Sequence, residues 1–151
     1  MTDPNAVFTA LHHAAQSAAG ARLFTVTVLD RKEGLARRAY TSHPDAYPAT
    51  GTKPMRSDAW SDLVIGQHKS FVANDTPGFA IYFSDHTLIN ALGCHSALNM
   101  PVVEGGQVIG TVNVLDVAGH FTPERVATLE GLVAAHHDAL VAAIAATPME
   151  G

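Results

Sequence analysis

Asn99-Met100-Pro101-Val102-Val103-Glu104-Gly105-Gly106-Gln107-Val108-Ile109-Gly110-Thr111-Val112-Asn113-Val114-Leu115 is the stretch that decides the fold. Two apolar runs, Ala97 to Val103 and Gln107 to Asp116, are rich in β-branched residues and read as strands. Between them Gly105-Gly106 supplies the left-handed backbone that a tight hairpin turn needs. A second hairpin lies upstream. Leu23 to Asp30 (LFTVTVLD) reads as one strand and Leu35 to Thr41 as its partner, joined by Arg31-Lys32-Glu33-Gly34. Hairpins at both ends of the chain predict a mostly antiparallel sheet.

Helices fill the remainder. Val7, Phe8, Leu11, Ala15 and Ala18 recur at helical spacing within Pro4 to Ala19, with Pro4 suited to the first turn and Gly20 to the end. Ser42 to Arg56, with Pro44, Pro48, Gly51 and Pro54, is a loop by composition. Ser57 is the expected N-cap of a short helix carrying Trp60, Leu63 and Val64 and ending at Gly66. Ser70 to Ala73 reads as a short strand, and Asn74-Asp75-Thr76-Pro77-Gly78 as a turn. Ser84 is the expected cap of a helix from Asp85 to Leu92, with Gly93 just past its end. Thr122-Pro123-Glu124 opens a terminal helix whose apolar stripe runs through Val126, Leu129, Leu132, Val133, His136, Leu140 and Ile144. The order α-ββ-α-β-α-ββ-α, with helices covering a sheet, is an α+β architecture.

Size and charge exclude several classes. With 151 residues, 47% of them hydrophobic and 15% charged, the chain is expected to be one domain, 1–151, and not a disordered segment. The net charge of −5 argues against nucleic acid as a partner, since phosphate neutralisation needs a basic stripe. Arg31, Lys32, Arg37 and Arg38, mixed with Asp30 and Glu33, read as a solvated hairpin edge. No basic segment followed by an apolar run marks the N-terminus as a signal peptide, and no apolar window is long enough to span a membrane. A cytoplasmic protein is the expectation, and the unpaired Cys94 agrees with a reducing compartment.

The element order and three local strings resemble the GAF domain family. The strongest is the Asn99–Leu115 hairpin: an apolar strand ending in Pro-Val, a glycine turn, then Val-Ile-Gly and a second apolar strand. Phe121-Thr122-Pro123-Glu124-Arg125 with Leu129 and Leu132 is similar to the start of that family's last helix. Gly66-Gln67-His68-Lys69-Ser70-Phe71-Val72-Ala73-Asn74-Asp75 is similar to its Gly-x-x-hydrophobic-x-x-x-Asp region. The resemblance runs from about Val7 to Ala146. It implies a central antiparallel sheet with the N- and C-terminal helices on one face and a ligand pocket on the other. It also implies a homodimer through those helices. Fold alone does not fix activity. No cyclic-nucleotide motif is present. Cys94-His95 lies at a strand start, directly after Gly93, where bilin-binding relatives have their Cys-His in a helix. Free methionine sulfoxide reductase chemistry needs a resolving thiol that a single Cys does not provide.

The middle of the chain is the expected pocket wall. Trp60, Phe79, Tyr82, Phe83, Asp85 and His86 combine aromatic surface with a few polar groups, as small-molecule sites do, although each also suits a core or first-turn position. Cys94 reads as a small buried thiol or as a pocket-lining one. Asn99 and Asn113 interrupt apolar strands and must find partners. A two-residue turn at Gly105-Gly106 pairs Asn99 with Val112 and Leu98 with Asn113, so the amides would face opposite sides of the sheet; a one-residue slip reverses this. His12-His13 and His136-His137 are adjacent pairs that do not share a helix face, and no metal-ligand spacing occurs. The expected function is a sensory module that binds a small molecule of unknown identity. At this length no output domain fits, so the signal would pass to a separate protein. Two alternatives stand beside it: an enzyme using Cys94 or a histidine cluster, and an interaction domain whose pocket has closed.

Overall fold

The computed structural model describes residues 3–149. Helix α1 (Pro4–Ala19) is capped by Asp3, whose carboxylate accepts from the Asn5 amide at 3.1 Å. Strands β1 (Leu23–Asp30) and β2 (Leu35–Thr41) follow as a hairpin, with a two-residue edge strand β3 (Lys53–Pro54) pairing Leu35 and Ala36. Helix α2 (Ala59–Ser61) runs into one π-helical turn (Asp62–Gly66). Then come β4 (Phe71–Ala73), α3 (Thr76–Ala80), α4 (His86–Ala91), and the hairpin β5 (Ser96–Glu104) and β6 (Gln107–Asp116). Helices α5 (Pro123–Ala135) and α6 (His137–Ala146) close the chain. The strands form one sheet in the order β3-β2-β1-β6-β5-β4, and every pairing is antiparallel.

Alternation along the strands sorts the side chains onto two faces. Phe24, Val26 and Val28 of β1, Leu98, Met100 and Val102 of β5, and Val112 and Val114 of β6 pack against α1, α5 and α6. Phe8, Leu11, Leu129, Val133, Leu140 and Ile144 meet them from the helices. Full burial of each such side chain contributes about 1.5–3 kcal/mol. The opposite face carries a smaller apolar cluster of Leu23, Tyr47, Ala73, Phe79, Ile89, Cys94, Ala97 and Leu115, beneath α3 and α4.

The register differs from the regular hairpin expected from the turn. Val103 pairs with Val108 but Val102 pairs with Gly110, so Ile109 bulges out of the ladder. Every pair beyond it is shifted by one, and Asn99 stands opposite Asn113 instead of Val112. The two amides therefore share a face. A second bulge leaves Ala39 unpaired between Tyr40, opposite Val26, and Arg38, opposite Thr27.

Local ends also differ from the expectations. Asp58, not Ser57, caps α2: its Oδ1 accepts from the Ser61 amide at 2.8 Å, in a capping box with Ser61. The Asn74–Gly78 turn contains a helix start, because Asp75 Oδ1 accepts from the Gly78 amide at 2.9 Å. Helix α4 begins at His86 with Asp85 at the N-cap position, and Asp85 makes no side-chain capping bond. The terminal helix is not continuous. It bends by 66° at His136, whose backbone (φ −101°, ψ 12°) leaves the helical region. Here His136 Nδ1 donates to the Leu132 carbonyl at 2.8 Å, and His137 Nε2 donates to the Val103 carbonyl of β5 at 2.6 Å. Side chains competing for helix carbonyls are a known cause of kinks. Among the described residues no single helix is long and apolar enough to cross a membrane.

Gly110 of β6 is hemmed in by β1 on one side and by α6 on the other. A Cβ there would stand 2.6 Å from the Thr27 carbonyl oxygen and 3.1 Å from Ile144 Cδ1. The first neighbour is backbone and cannot yield. Gly131, in α5, has nothing within 4 Å of its Cβ position. Gly110→Ala is therefore expected to lower stability by about 1–3 kcal/mol, and Gly131→Ala to raise it by about 0.5–1 kcal/mol. Urea denaturation of the two variants measures both; equal effects would contradict this packing.

Candidate functional site

A cavity of about 300 Å³ opens on the sheet face turned away from the terminal helices. Its floor is polar: Thr25 and Thr27 of β1, Asn99 of β5, and Thr111 and Asn113 of β6. Trp60, Ile65, Tyr82 and Phe83 close it from above. Ile65 comes from the π-helical turn, a distortion often found at functional sites. Phe71 of β4 braces this roof, edge-on to Tyr82 at 5.6 Å and to Phe83 at 6.4 Å between ring centroids.

The floor is tied by a directed chain of hydrogen bonds. Trp60 Nε1 donates to Asn99 Oδ1 at 2.9 Å. Asn99 Nδ2 donates to Asn113 Oδ1 at 2.8 Å, and Asn113 Nδ2 donates to the Thr25 and Thr27 hydroxyls, each at 3.1 Å. An indole N–H can only donate, so it fixes which way both amides point. Asn99 is 4% exposed and Asn113 7%, so each lost bond would leave a buried amide short of a partner.

A second cluster stands at the wall. The bulge at Ala39 brings Arg38 onto the cavity side, where its guanidinium lies 3.7 Å from the Tyr47 ring centroid. Arg38 donates to Asp85 Oδ2 at 3.2 Å and to the Pro48 carbonyl at 2.9 Å. Tyr47 donates to the same Asp85 oxygen at 2.5 Å. Burial, reinforced by the Asp85 carboxylate and opposed by Arg38, pushes the Tyr47 phenol well above its ordinary value, so it remains a donor. Asp85 Oδ2 is thus engaged by side chains from β2 and the Ser42–Arg56 loop rather than by the α4 N-terminus.

Of the residues expected at a pocket, Trp60, Tyr82, Phe83, Asp85 and Asn113 line this cavity. Phe79 and Cys94 do not: both are fully buried in the apolar cluster under α3 and α4. His86 begins α4 and is also absent from the lining. Arg37 and Arg38, expected on a solvated edge, are half-buried and line the wall, whereas Arg31 and Lys32 are exposed. Thr25, Thr27, Thr111, Tyr47 and Ile65 were not anticipated. The threonines had a signal, since Thr25 and Thr27 alternate within an apolar strand and so share a face; Tyr47, in a proline-rich loop, had none. Among the described residues no group of three His, Cys, Asp or Glu side chains is placed to hold a metal ion.

Both the floor and the apolar seal can be probed by single measurements. Asn99→Leu strands the Trp60 N–H and the Asn113 carbonyl, and is expected to cost about 1–3 kcal/mol by denaturant unfolding; an unchanged midpoint would mean the chain of bonds is not formed. Burial, with Asp116 nearby, pushes the Cys94 thiol up to about 11. Since the thiolate is the nucleophile, Cys94 should resist iodoacetamide at neutral pH until the protein unfolds. Rapid alkylation of the folded protein would contradict its placement.

The GAF domain family model matches residues 1–140. No curated protein matches the chain. Among solved structures, the GAF domain of a two-component sensor histidine kinase from Bacillus halodurans superposes with a TM-score of 0.71 at 12% identity, covering 93% of this chain and 92% of that one. The GAF domain of a phosphoenolpyruvate-protein phosphotransferase from Coxiella burnetii gives 0.65 at 18%, with coverage of 94% and 88%. The blue-light absorbing form of the PixJ GAF domain from Thermosynechococcus elongatus gives 0.68 at 11%, with coverage of 91% and 84%. At these identities the likeness shows the fold. With the family model spanning most of its length, the chain belongs to the GAF domain family.

Proposed function

We propose that this GAF domain is a sensory module that binds a small organic molecule between the sheet and the α2–α4 roof, and signals to a separate protein. GAF domains are typically sensory, ligand-binding parts of signalling proteins, and two of the structural neighbours are named for a sensor kinase and a phosphotransferase. The observation that carries the proposal is the cavity itself. Its volume of about 300 Å³ sits at the small end of the ligand-pocket range, and its polar groups converge from three strands on one face. The apolar core that stabilises the fold lies on the other face, so the cavity can be occupied or vacated without disturbing it. A bound molecule would touch Trp60 and Tyr82, and through them the short roof elements, which makes the roof the natural reporter of occupancy.

A cytoplasmic homodimer formed through α1, α5 and α6 belongs to the same proposal. Exposed alanines on these helices, Ala10, Ala18, Ala142 and Ala145, would let a second copy approach closely. The thiol-enzyme alternative draws no support from Cys94, which is buried away from the cavity.

The test is a thermal-shift screen of the whole chain against small metabolites, repeated on Thr111→Phe, which fills the cavity from its floor. Binders should stabilise the wild-type protein, since a ligand specific for the folded state raises stability by mass action. They should leave the filled variant unmoved. Stabilisation that persists in Thr111→Phe would place binding elsewhere and overturn the proposal.

A further inference from the structure

The polarity of the cavity specifies what kind of molecule fits it. The hydrogen-bond chain runs one way, from Trp60 through Asn99 and Asn113 to Thr25 and Thr27. Each threonine hydroxyl accepts one bond from Asn113 Nδ2. Their own protons have no protein acceptor among the described residues, and both side chains line the cavity. Thr111, 2% exposed, adds a third hydroxyl to the same floor, with no hydrogen bond to another group among the described residues. The floor therefore presents three hydroxyl protons that a ligand acceptor atom would satisfy.

The mouth is biased the same way by charge, which is an independent observation. In a chain of net charge −5, the lining carries Arg37, Arg38, Lys53 and Arg56 against the single carboxylate of Asp85. Asp85 is already engaged by Arg38 and Tyr47. Arg56 is held only at 3.6 Å from Asp58, and Lys53 has no ion-pair partner among the described residues. A concave site lined by one sign of charge concentrates ligands of the other. Between mouth and floor the walls are flat and apolar, from Trp60, Tyr82 and Phe83.

We propose that the cavity selects a small organic acid. Its carboxylate sits at the Lys53–Arg56 mouth, its flat apolar body lies against Trp60 and Tyr82, and an acceptor atom at its far end rests on the Thr25, Thr27 and Thr111 hydroxyls. This rests on the reading of the cavity as a ligand site. It adds the ligand's charge, its polarity and its orientation.

Four size-matched probes separate these features in NMR titrations of the whole chain: 4-acetylbenzoate, 4-acetylbenzamide, 4-acetylbenzylamine and 4-isopropylbenzoate. The acetyl acid should bind about tenfold or more tighter than the amide and the amine, because charge-assisted bonds are roughly twice as strong as neutral ones. Added salt should weaken the acid and leave the amide unchanged. The isopropyl acid, which strands the floor donors, should also lose about tenfold. Lys53→Ala with Arg56→Ala, both at exposed positions, should remove the gap between acid and amide while keeping amide binding. Thr111→Val should narrow the gap between acetyl and isopropyl. If the amide or amine binds the cavity as well as the acid, the inference is overturned and the ligand-binding reading survives. If none of the four shifts the Thr25, Thr27 or Thr111 resonances at millimolar concentration, the inference is likewise overturned, and the ligand-binding reading is decided by the thermal-shift screen.

Discussion

Asn99 and Asn113 meet across β5 and β6 because Ile109 has no partner in the ladder between them. One extra residue in a hairpin normally costs little beyond local twist, but in this sheet it determines what the far side is made of. Without it the two amides would point to opposite faces, one into the apolar core under the helices. With it both turn to the same side, satisfy each other, and pass their remaining bonds to Trp60 above and to Thr25 and Thr27 on the neighbouring strand. A polar floor on a sheet is stable only when it is closed in this way, since a half-satisfied network costs more than an apolar one. Among the described residues no deeply buried side-chain polar atom lacks a partner.

The remaining architecture is arranged around that segregation. The helical face is apolar apart from the Tyr40 hydroxyl, which pairs with His12 Nδ1 at 3.2 Å, and Gly110 lets α6 lie close against it. The two histidines at the α5–α6 bend, one donating within the helix and one to β5, fit the last helix to the curvature of the sheet. On the other face a small apolar cluster seals one end beneath α3 and α4, leaving the middle of the sheet as the cavity. The second bulge, at Ala39, repeats the device of the first. It takes Arg38 out of strict alternation with the core residue Tyr40 and turns it toward Tyr47 and Asp85.

Much of the fold was legible from residue pattern. The strands Leu23–Asp30 and Leu35–Thr41 and the helix Pro4–Ala19 stand where periodicity and composition put them. The antiparallel sheet with terminal helices on one face and a pocket on the other is the arrangement the family resemblance implied. What escaped was set by tertiary contacts. Beside the bend at His136, His137 bonds a carbonyl of β5 that lies 34 residues away in sequence. The bulge at Ile109 leaves no mark in a run of Val, Ile and Gly that suits a regular strand equally well. Arg38 looked like a surface charge because its partners arrive from a proline-rich loop and from the start of α4. For the site the split is similar. Trp60, Tyr82, Phe83, Asp85 and Asn113 were visible as polar or aromatic residues in suitable places. Phe79 and Cys94 belong instead to the apolar seal, a distinction that residue type does not carry.

The polar floor of the cavity depends on the shared face of the two amides, and side-chain NOE contacts measure that directly. In protein with assigned Asn side chains, the Asn99 amide protons should show cross-peaks to the Trp60 indole and to Asn113, with Asn113 in turn close to Thr25 and Thr27. Cross-peaks from either amide to Val133 or Leu140, on the helical side of the sheet, would mean a regular register and would contradict a cavity floor that originates in the bulge at Ile109.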